Sequence, residues 1–132
     1  MIVVAIIGIL AAIAIPDFLK FQAKAKQSEA KTNLGAVFTT QVAYFGETNE
    51  YSSFFDLCHW EPEGQSMYTY SLPDQTINNT KGGGGCQSAT AGIGADATAF
   101  TAGAMGNIDN DTDCDSWEIN DAKELTNTIS DL

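Results

Sequence analysis

A run of fifteen apolar or small residues, Met1 to Ile15, constrains the fold more than any other feature of the sequence. As an α-helix it would be roughly 22 Å long at about 1.5 Å per residue. The hydrocarbon core of a bilayer is about 30 Å thick and needs about 20 apolar residues. The run is short of a full span, but it is apolar on every face. We therefore expect it to lie in lipid or against other apolar helices.

Two other interpretations of this run are weaker. A secretory signal peptide is suggested by Ala12-Ile13-Ala14, which resembles a small-x-small cleavage site. The helical pattern, however, continues for about thirty residues beyond that site. A buried core helix is the second alternative, but a chain of 132 residues is too small to surround a helix that is apolar all round.

After the apolar run the pattern narrows to an amphipathic stripe that ends near Gly46, a plausible helix stop signal. The stripe comprises Phe18, Phe21, Ala25, Leu34, Val37, Phe38, Val42 and Phe45. A helix of about 45 residues would be near 68 Å long, so its first half must protrude from a domain of this size. We divide the chain into a helix over 1–46, apolar over 1–16 and amphipathic over 17–46, and a head over 47–132.

The head is predicted to contain a small antiparallel sheet. A loop over 47–66 carries several aromatic residues, and strands are predicted near 67–72, 97–105 and 116–120 from alternating apolar and polar residues. One long helix packed on a sheet of three or four strands is an α+β fold with the shape of a ladle.

Charge and motifs exclude several classes of function. The net charge is −11, and it is concentrated in the head, where Lys81 and Lys123 stand against fifteen acids. An acidic head repels phosphate, so we predict no nucleic-acid partner through it. His59 is the only histidine and no nucleophile motif accompanies it, so we predict no catalytic residues and no enzyme activity. The run Gly82–Gly85 is not a phosphate-binding loop, because its lysine comes first.

The three cysteines, Cys58, Cys86 and Cys114, are disulfide candidates. They lack the spacing and the partner ligands of a zinc site. Outside the cytoplasm one disulfide and one free thiol are expected, and the sequence leaves all three pairings open.

Four aspartates alternate before the third predicted strand, at Asp109, Asp111, Asp113 and Asp115. Carboxylates at alternate positions can bind calcium, which is the one cofactor that the sequence allows. The stretch is not an EF-hand, because Cys114 and Asn120 stand where glycine and glutamate are needed. A solvated acidic turn is the alternative.

The N-terminal sequence MIVVAIIGILAAIAIPDFLKFQAKAKQSEAKTNL resembles the N-terminal helix of type IVa pilins, in particular the run IIGILAAIAIP followed by QSEA. The stretches ETNEYSSF and GNIDNDTDCDSWEIND are similar to pilins of myxobacteria and related deltaproteobacteria. By this resemblance a leader and six mature residues would precede Met1, among them a methylated phenylalanine and a glutamate.

The resemblance implies a major pilin subunit that polymerises through its apolar helix into a type IV pilus for motility, adhesion or DNA uptake. The expected partners are copies of the chain, the inner membrane before assembly, and the pilus assembly machinery. The expected location is the inner membrane and then the extracellular pilus. A pseudopilin of a type II secretion system and a minor or tip adhesive pilin are the alternatives.

Gly8 and Pro16 weaken the helix, because glycine adds backbone freedom and proline removes a hydrogen-bond donor. The resemblance implies that the helix between these two residues unwinds in the assembled filament.

Overall fold

One helix of 47 residues and a twisted antiparallel sheet make up the fold. The computed structural model describes residues 1–81, 86, 94–109 and 111–132. The helix, α1, spans Ile2–Thr48 and is continuous through Pro16. It ends at Asn49, whose φ of 58° is left-handed and whose N–H donates a 2.8 Å hydrogen bond to the Phe45 carbonyl. Asparagine tolerates this conformation, so the helix ends just beyond Gly46 without requiring a glycine.

The buried face of α1 begins only at Ala23, after its first twenty-one residues. Its buried residues recur at intervals of three and four, as expected for one face of a helix. They are Ala23, Gln27, Ala30, Leu34, Val37 and Gln41. Of the predicted stripe, Leu34 and Val37 are fully buried.

Four members of that stripe, Phe18, Phe21, Ala25 and Val42, are exposed, so the apolar stripe does not coincide with the face that packs on the head. The packed face uses alanines, which let the sheet approach closely, and two glutamines whose amides are hydrogen-bonded to the head.

The sheet contains six strands among the described residues, with β4 and β5 at its centre. The spatial order is β2-β1-β4-β5-β6, and β3 pairs with β4 off this path. The strands are β1 at Thr69–Leu72, β2 at Gln75–Ile77, β3 at Gly94–Ala95, β4 at Phe100–Gly106, β5 at Asp115–Asn120 and β6 at Leu125–Ile129. All the pairings are antiparallel.

The α+β fold class with one long N-terminal helix is confirmed, and the sheet is larger than predicted. The additional strands are short or lie at an edge: β2 and β3 have three and two residues, and β6 is mostly exposed. Such strands show little apolar alternation in the sequence. The predicted loop Gly82–Gly85 lies outside the described residues.

The core lies between α1 and one face of the sheet. Tyr70 pairs with Ala104, and Ala104 pairs with Trp117 on its other side, so a small residue on β4 separates two large aromatic side chains. Phe55 and Trp60, from the loop after α1, complete the core, with the Trp60 ring edge-on to Tyr70 at 5.2 Å. Glycine is needed at Gly106, the last residue of β4, because a Cβ there would lie 2.7 Å from the Met67 carbonyl oxygen.

Candidate assembly surface

The protruding half of α1 is the most unusual surface of the molecule. Every large apolar side chain from Met1 to Phe21 is more than half exposed. An 18-residue window of α1 near the N-terminus has a mean hydropathy of 2.6, and none of it is buried. By length and composition this helix can cross a membrane. An exposed apolar surface of this extent requires a nonaqueous partner.

Gly8 and Pro16 both lie in this exposed half of α1. A Cβ at Gly8 would meet nothing within 4 Å, so no packing among the residues that the structure describes requires glycine there. Pro16 has no N–H to donate to the Ala12 carbonyl, so one backbone acceptor of α1 lacks its usual partner. Unwinding of this segment in a filament stays a prediction.

The carboxylate of Asp115 attaches α1 to the head. It is fully buried at the start of β5 and accepts five hydrogen bonds from donors on α1, the residue before β1, β5, β6 and the C-terminal segment. Its Oδ1 accepts from Gln27 Nε2 at 2.9 Å, Asn127 Nδ2 at 3.0 Å and the Asp131 N–H at 3.4 Å, and its Oδ2 accepts from the Tyr68 hydroxyl at 2.6 Å and Trp117 Nε1 at 2.5 Å.

We call Asp115, Gln27, Tyr68, Trp117 and Asn127 the Asp115 cluster. Every donor that surrounds this buried carboxylate is used, which offsets the cost of burying it. Burial, together with the hydrogen bond to Asp115, raises the pKa of Tyr68 far above its ordinary value. The hydroxyl therefore stays a donor, and the cluster fixes α1 on the sheet at the point where the exposed half begins.

A second attachment lies near the end of α1. The Gln41 amide is fully buried, and its Nε2 donates to the Ser52 carbonyl at 2.8 Å while its Oε1 accepts from the Ser52 N–H at 2.9 Å. Both polar atoms of the amide are thus satisfied by the backbone of the following loop. Between the two glutamines, Asn33 Nδ2 donates to the Tyr70 hydroxyl at 2.8 Å.

The lysines of α1 divide into two groups. Lys26 Nζ donates to the Ile108 carbonyl at 2.5 Å, and Lys31 Nζ lies 4.7 Å from the centre of the Trp117 ring. Lys20 and Lys24 are exposed and have no hydrogen bond, ion pair or ring contact within the described part of the chain.

The structure does not bring the four predicted calcium ligands together. Asp115 is buried and its oxygens are already used in the Asp115 cluster, and the exposed Asp113 is not in the group of carboxylates that meet among the described residues. Asp109 and Asp111 instead meet Asp131, which was not predicted, with one carboxylate oxygen of each within 4.8 Å of the others.

The backbone explains this arrangement. Asp109 Oδ1 accepts from the Asp111 N–H at 2.9 Å, and Asp111 Oδ1 accepts from the Asp113 N–H at 2.8 Å. These are side-chain to backbone turns that shape the loop. Burial raises the pKa of Asp131, and the neighbouring aspartates act in the same direction.

Cys86 and Cys114 form a disulfide with a Cα–Cα distance of 5.9 Å. Cys58 is the free cysteine, buried, with its Sγ 3.2 Å from the Phe54 carbonyl oxygen, and burial raises the pKa of this thiol. The spacing of the cysteines in the sequence could not select this pairing. No strand pattern precedes Cys86, so the sequence does not indicate where that residue lies in the fold.

Sequence reasoning missed Gln27, Gln41 and Asp131 as functional positions. The two glutamines had a signal, since both are in register with Leu34 at seven-residue intervals, on the face that turns out to be buried. Asp131 had none, because it lies in the C-terminal segment and meets the acidic loop only through the fold.

Comparison with known proteins supports the resemblance seen in the N-terminal sequence. Residues 21–82 match the family model described as type IV pilin PilA. A stretch of 72 residues is 58% identical to the type IV major pilin protein PilA of Myxococcus xanthus and covers 54% of this chain. It spans 33% of that relative, about a third of its length. Over residues 21–82 the chain is thus similar to the type IV pilin PilA family, and its long apolar α1 fixed on an antiparallel head accords with that similarity.

Proposed function

We propose that the chain is the structural subunit of a type IV pilus and that copies of it polymerise through the apolar half of α1. One observation carries this proposal: the first twenty-one residues of α1 are unburied, yet they continue without a break into the half that is fixed on the head. A head fixed to an exposed apolar helix has the architecture of a subunit whose core is completed by its neighbours.

Burial supplies the driving force. Removing apolar surface from water contributes about 25 cal/mol per Å², or about 1.5–3 kcal/mol for each large aliphatic or aromatic side chain. Thirteen such side chains lie between Met1 and Phe21, all more than half exposed. Burying these side chains among neighbouring helices stabilises the assembly. This gain exceeds the usual entropic cost of ordering subunits on association.

The same half of α1 holds the subunit in the inner membrane before assembly, since it is apolar on every face. The subunit then passes to the extracellular pilus with the help of the assembly machinery. The role is structural and not enzymatic, and the acidic head is unsuited to binding nucleic acid. Support comes from the family match and from the geometry of α1.

Cryo-electron microscopy of fibres sheared from cells that produce the chain tests the proposal. The expected map has this chain as its repeating unit, with α1 inside and the head outside. Fibres that contain the chain only at their tips would indicate an adhesive minor pilin, and short polymers kept beneath the outer membrane would indicate a pseudopilin. A full-length chain that stays monomeric in water without detergent would refute the proposal.

A further inference from the structure

A groove of about 480 Å³ lies where α1 leaves the head. Its apolar floor is formed by Leu19, Ala23, Ile108 and Leu132, and its acidic rim is formed by Asp109, Asp111 and Asp131. We call it the neck groove. Lys20 and Lys26 also line it, but the Lys26 ammonium is already bonded to the Ile108 carbonyl. The carboxylates thus outnumber the available cations, and an occupant should be apolar with a positive charge.

The opposite face of α1 has these properties. Successive residues of a helix are about 100° apart, so Phe21 and Lys24 lie on the side away from Leu19 and Ala23, and Phe18 lies beside them. Phe18 is 62% exposed and Phe21 is 70% exposed. Lys24 is exposed and has no partner among the described residues. This face offers two aromatic rings and one free ammonium group.

We propose that the neck groove of one copy receives the opposite face of α1 from a second copy, with Lys24 of the incoming helix against the carboxylates of the groove. The inference rests on the proposed function, because it names the contact through which subunits meet beside the head. Its basis is complementarity of both charge and apolar surface between two faces of the same chain.

The arrangement also has the right symmetry. The two faces are different and lie on opposite sides of α1, so a contact between them is heterologous and can repeat from copy to copy without closing. A chain with this pair of surfaces adds subunits along a helical path, which a self-complementary face would not do.

Zero-length crosslinking of intact fibres tests the contact directly. A carbodiimide joins an ammonium group to a carboxylate that lies against it. In fibres of mixed isotope-labelled and unlabelled chain we expect a crosslink from Lys24 to Asp109 or Asp111 between two copies, lost when detergent disperses the fibres. Intact fibres in which Lys24 is crosslinked elsewhere, or not at all, would overturn the inference.

Charge reversal with rescue gives a second test. We expect Lys24→Glu to lower the yield of fibres about tenfold or more, since it places like charges together. Asp111→Lys should do the same, and the double variant should recover fibres because the pair is restored with opposite sign. Lys81→Glu is the matched control, because Lys81 is also exposed and its side chain has no partner among the residues that the structure describes. A retained Cys86–Cys114 disulfide and a normal subunit level verify folding.

The outcomes separate the two proposals. Normal fibres from Lys24→Glu would overturn the groove contact and leave the pilus proposal standing. An absence of fibres from the unaltered chain would refute the pilus proposal itself. A loss of fibres that the double variant does not repair, with less subunit retained in the membrane, would assign Lys24 to anionic lipid headgroups and overturn the groove contact.

Discussion

The side-chain amide of Gln27 on α1 donates a 2.9 Å hydrogen bond to the buried carboxylate of Asp115 on β5, eighty-eight residues further along the chain. This bond joins α1, about one turn beyond its exposed half, to the centre of the sheet. It also explains why a glutamine occupies a buried position of α1, since an apolar residue there would leave a buried carboxylate with one donor fewer.

Loss of the Asp115 carboxylate should be strongly destabilising. Asp115→Ala leaves the buried donors of Tyr68 and Trp117 unpaired, and each such group costs about 1–3 kcal/mol. We expect the free energy of unfolding to fall by about 3 kcal/mol or more, measured by urea denaturation of the chain in detergent. Asp113→Ala, at the exposed end of the same loop, is the control and should change stability by less than about 0.5 kcal/mol. Equal effects from both substitutions would contradict this account.

The Cys86–Cys114 disulfide should stabilise the head, and Cys58 should be the free thiol. Denaturation without a reductant should expose one thiol to alkylation, and mass spectrometry should locate the label on Cys58. Removal of the bridge by the Cys86→Ser and Cys114→Ser pair should cost about 2–4 kcal/mol of unfolding free energy. Labels distributed over all three cysteines, or an unchanged stability, would refute the pairing.

Two buried tyrosines, Tyr68 just before β1 and Tyr70 within it, should make the stability of the head fall at alkaline pH. Burial raises the pKa of Tyr68 and of Tyr70 above the ordinary value of 10.0. A group with a raised folded pKa contributes its full stability below the unfolded pKa and loses it as the pH rises above that value. The free energy of unfolding should therefore fall as the pH rises above about 10.

Phenolate absorbance checks this prediction. The signal of Tyr68 and Tyr70 should appear only together with unfolding, followed by circular dichroism. In Tyr70→Phe the alkaline loss of stability should be smaller, because one of the two groups is absent. Ionisation of both tyrosines in a still folded head would disprove the assignment.

Restoring the missing donor at Pro16 should stiffen the exposed half of α1. A proline inside a helix costs about 3 kcal/mol relative to alanine, so Pro16→Ala should slow amide exchange over residues 12–15 in the detergent-held subunit. If this segment unwinds in the fibre, exchange there should be faster in the assembled unaltered chain than in the subunit. Gly35→Ala, in the half of α1 that is fixed on the head and where a Cβ meets nothing within 4 Å, is the control.

The long helix and its protruding half could be predicted because they follow from local pattern and length. Fifteen apolar residues and a proline need no tertiary contact to be recognised. The packed face of α1 was harder to predict from the sequence. Phe18 and Phe21 look like core residues and prove to be exposed, whereas Gln27 and Gln41 look like surface residues and prove to be buried. A hydrophobicity scale considers only the side chain of each residue. In this protein the groups that a residue meets across the boundary between α1 and the head decide whether it is buried.

The predicted metal ligands also show that a sequence pattern alone does not reveal which side chains the fold brings together. Alternation along the chain grouped Asp109 and Asp111 with Asp115, since pattern alone does not reveal that a strand begins at Asp115 and turns its side chain inward. Asp131 joins the other two only because the C-terminal segment returns to the loop. The disulfide likewise depends on a meeting of distant segments, and such meetings are set by topology.

Cys114 and Asp115 are adjacent, so a covalent bond and a buried anion secure the same end of β5. In a fibre under tension, force that enters through the helical core would reach the head at Gln27 and pass directly to that doubly secured corner. We predict that the mechanical weak point lies elsewhere, in the stretch of helix between Gly8 and Pro16. Extension of the fibre would be absorbed there while the heads keep their shape.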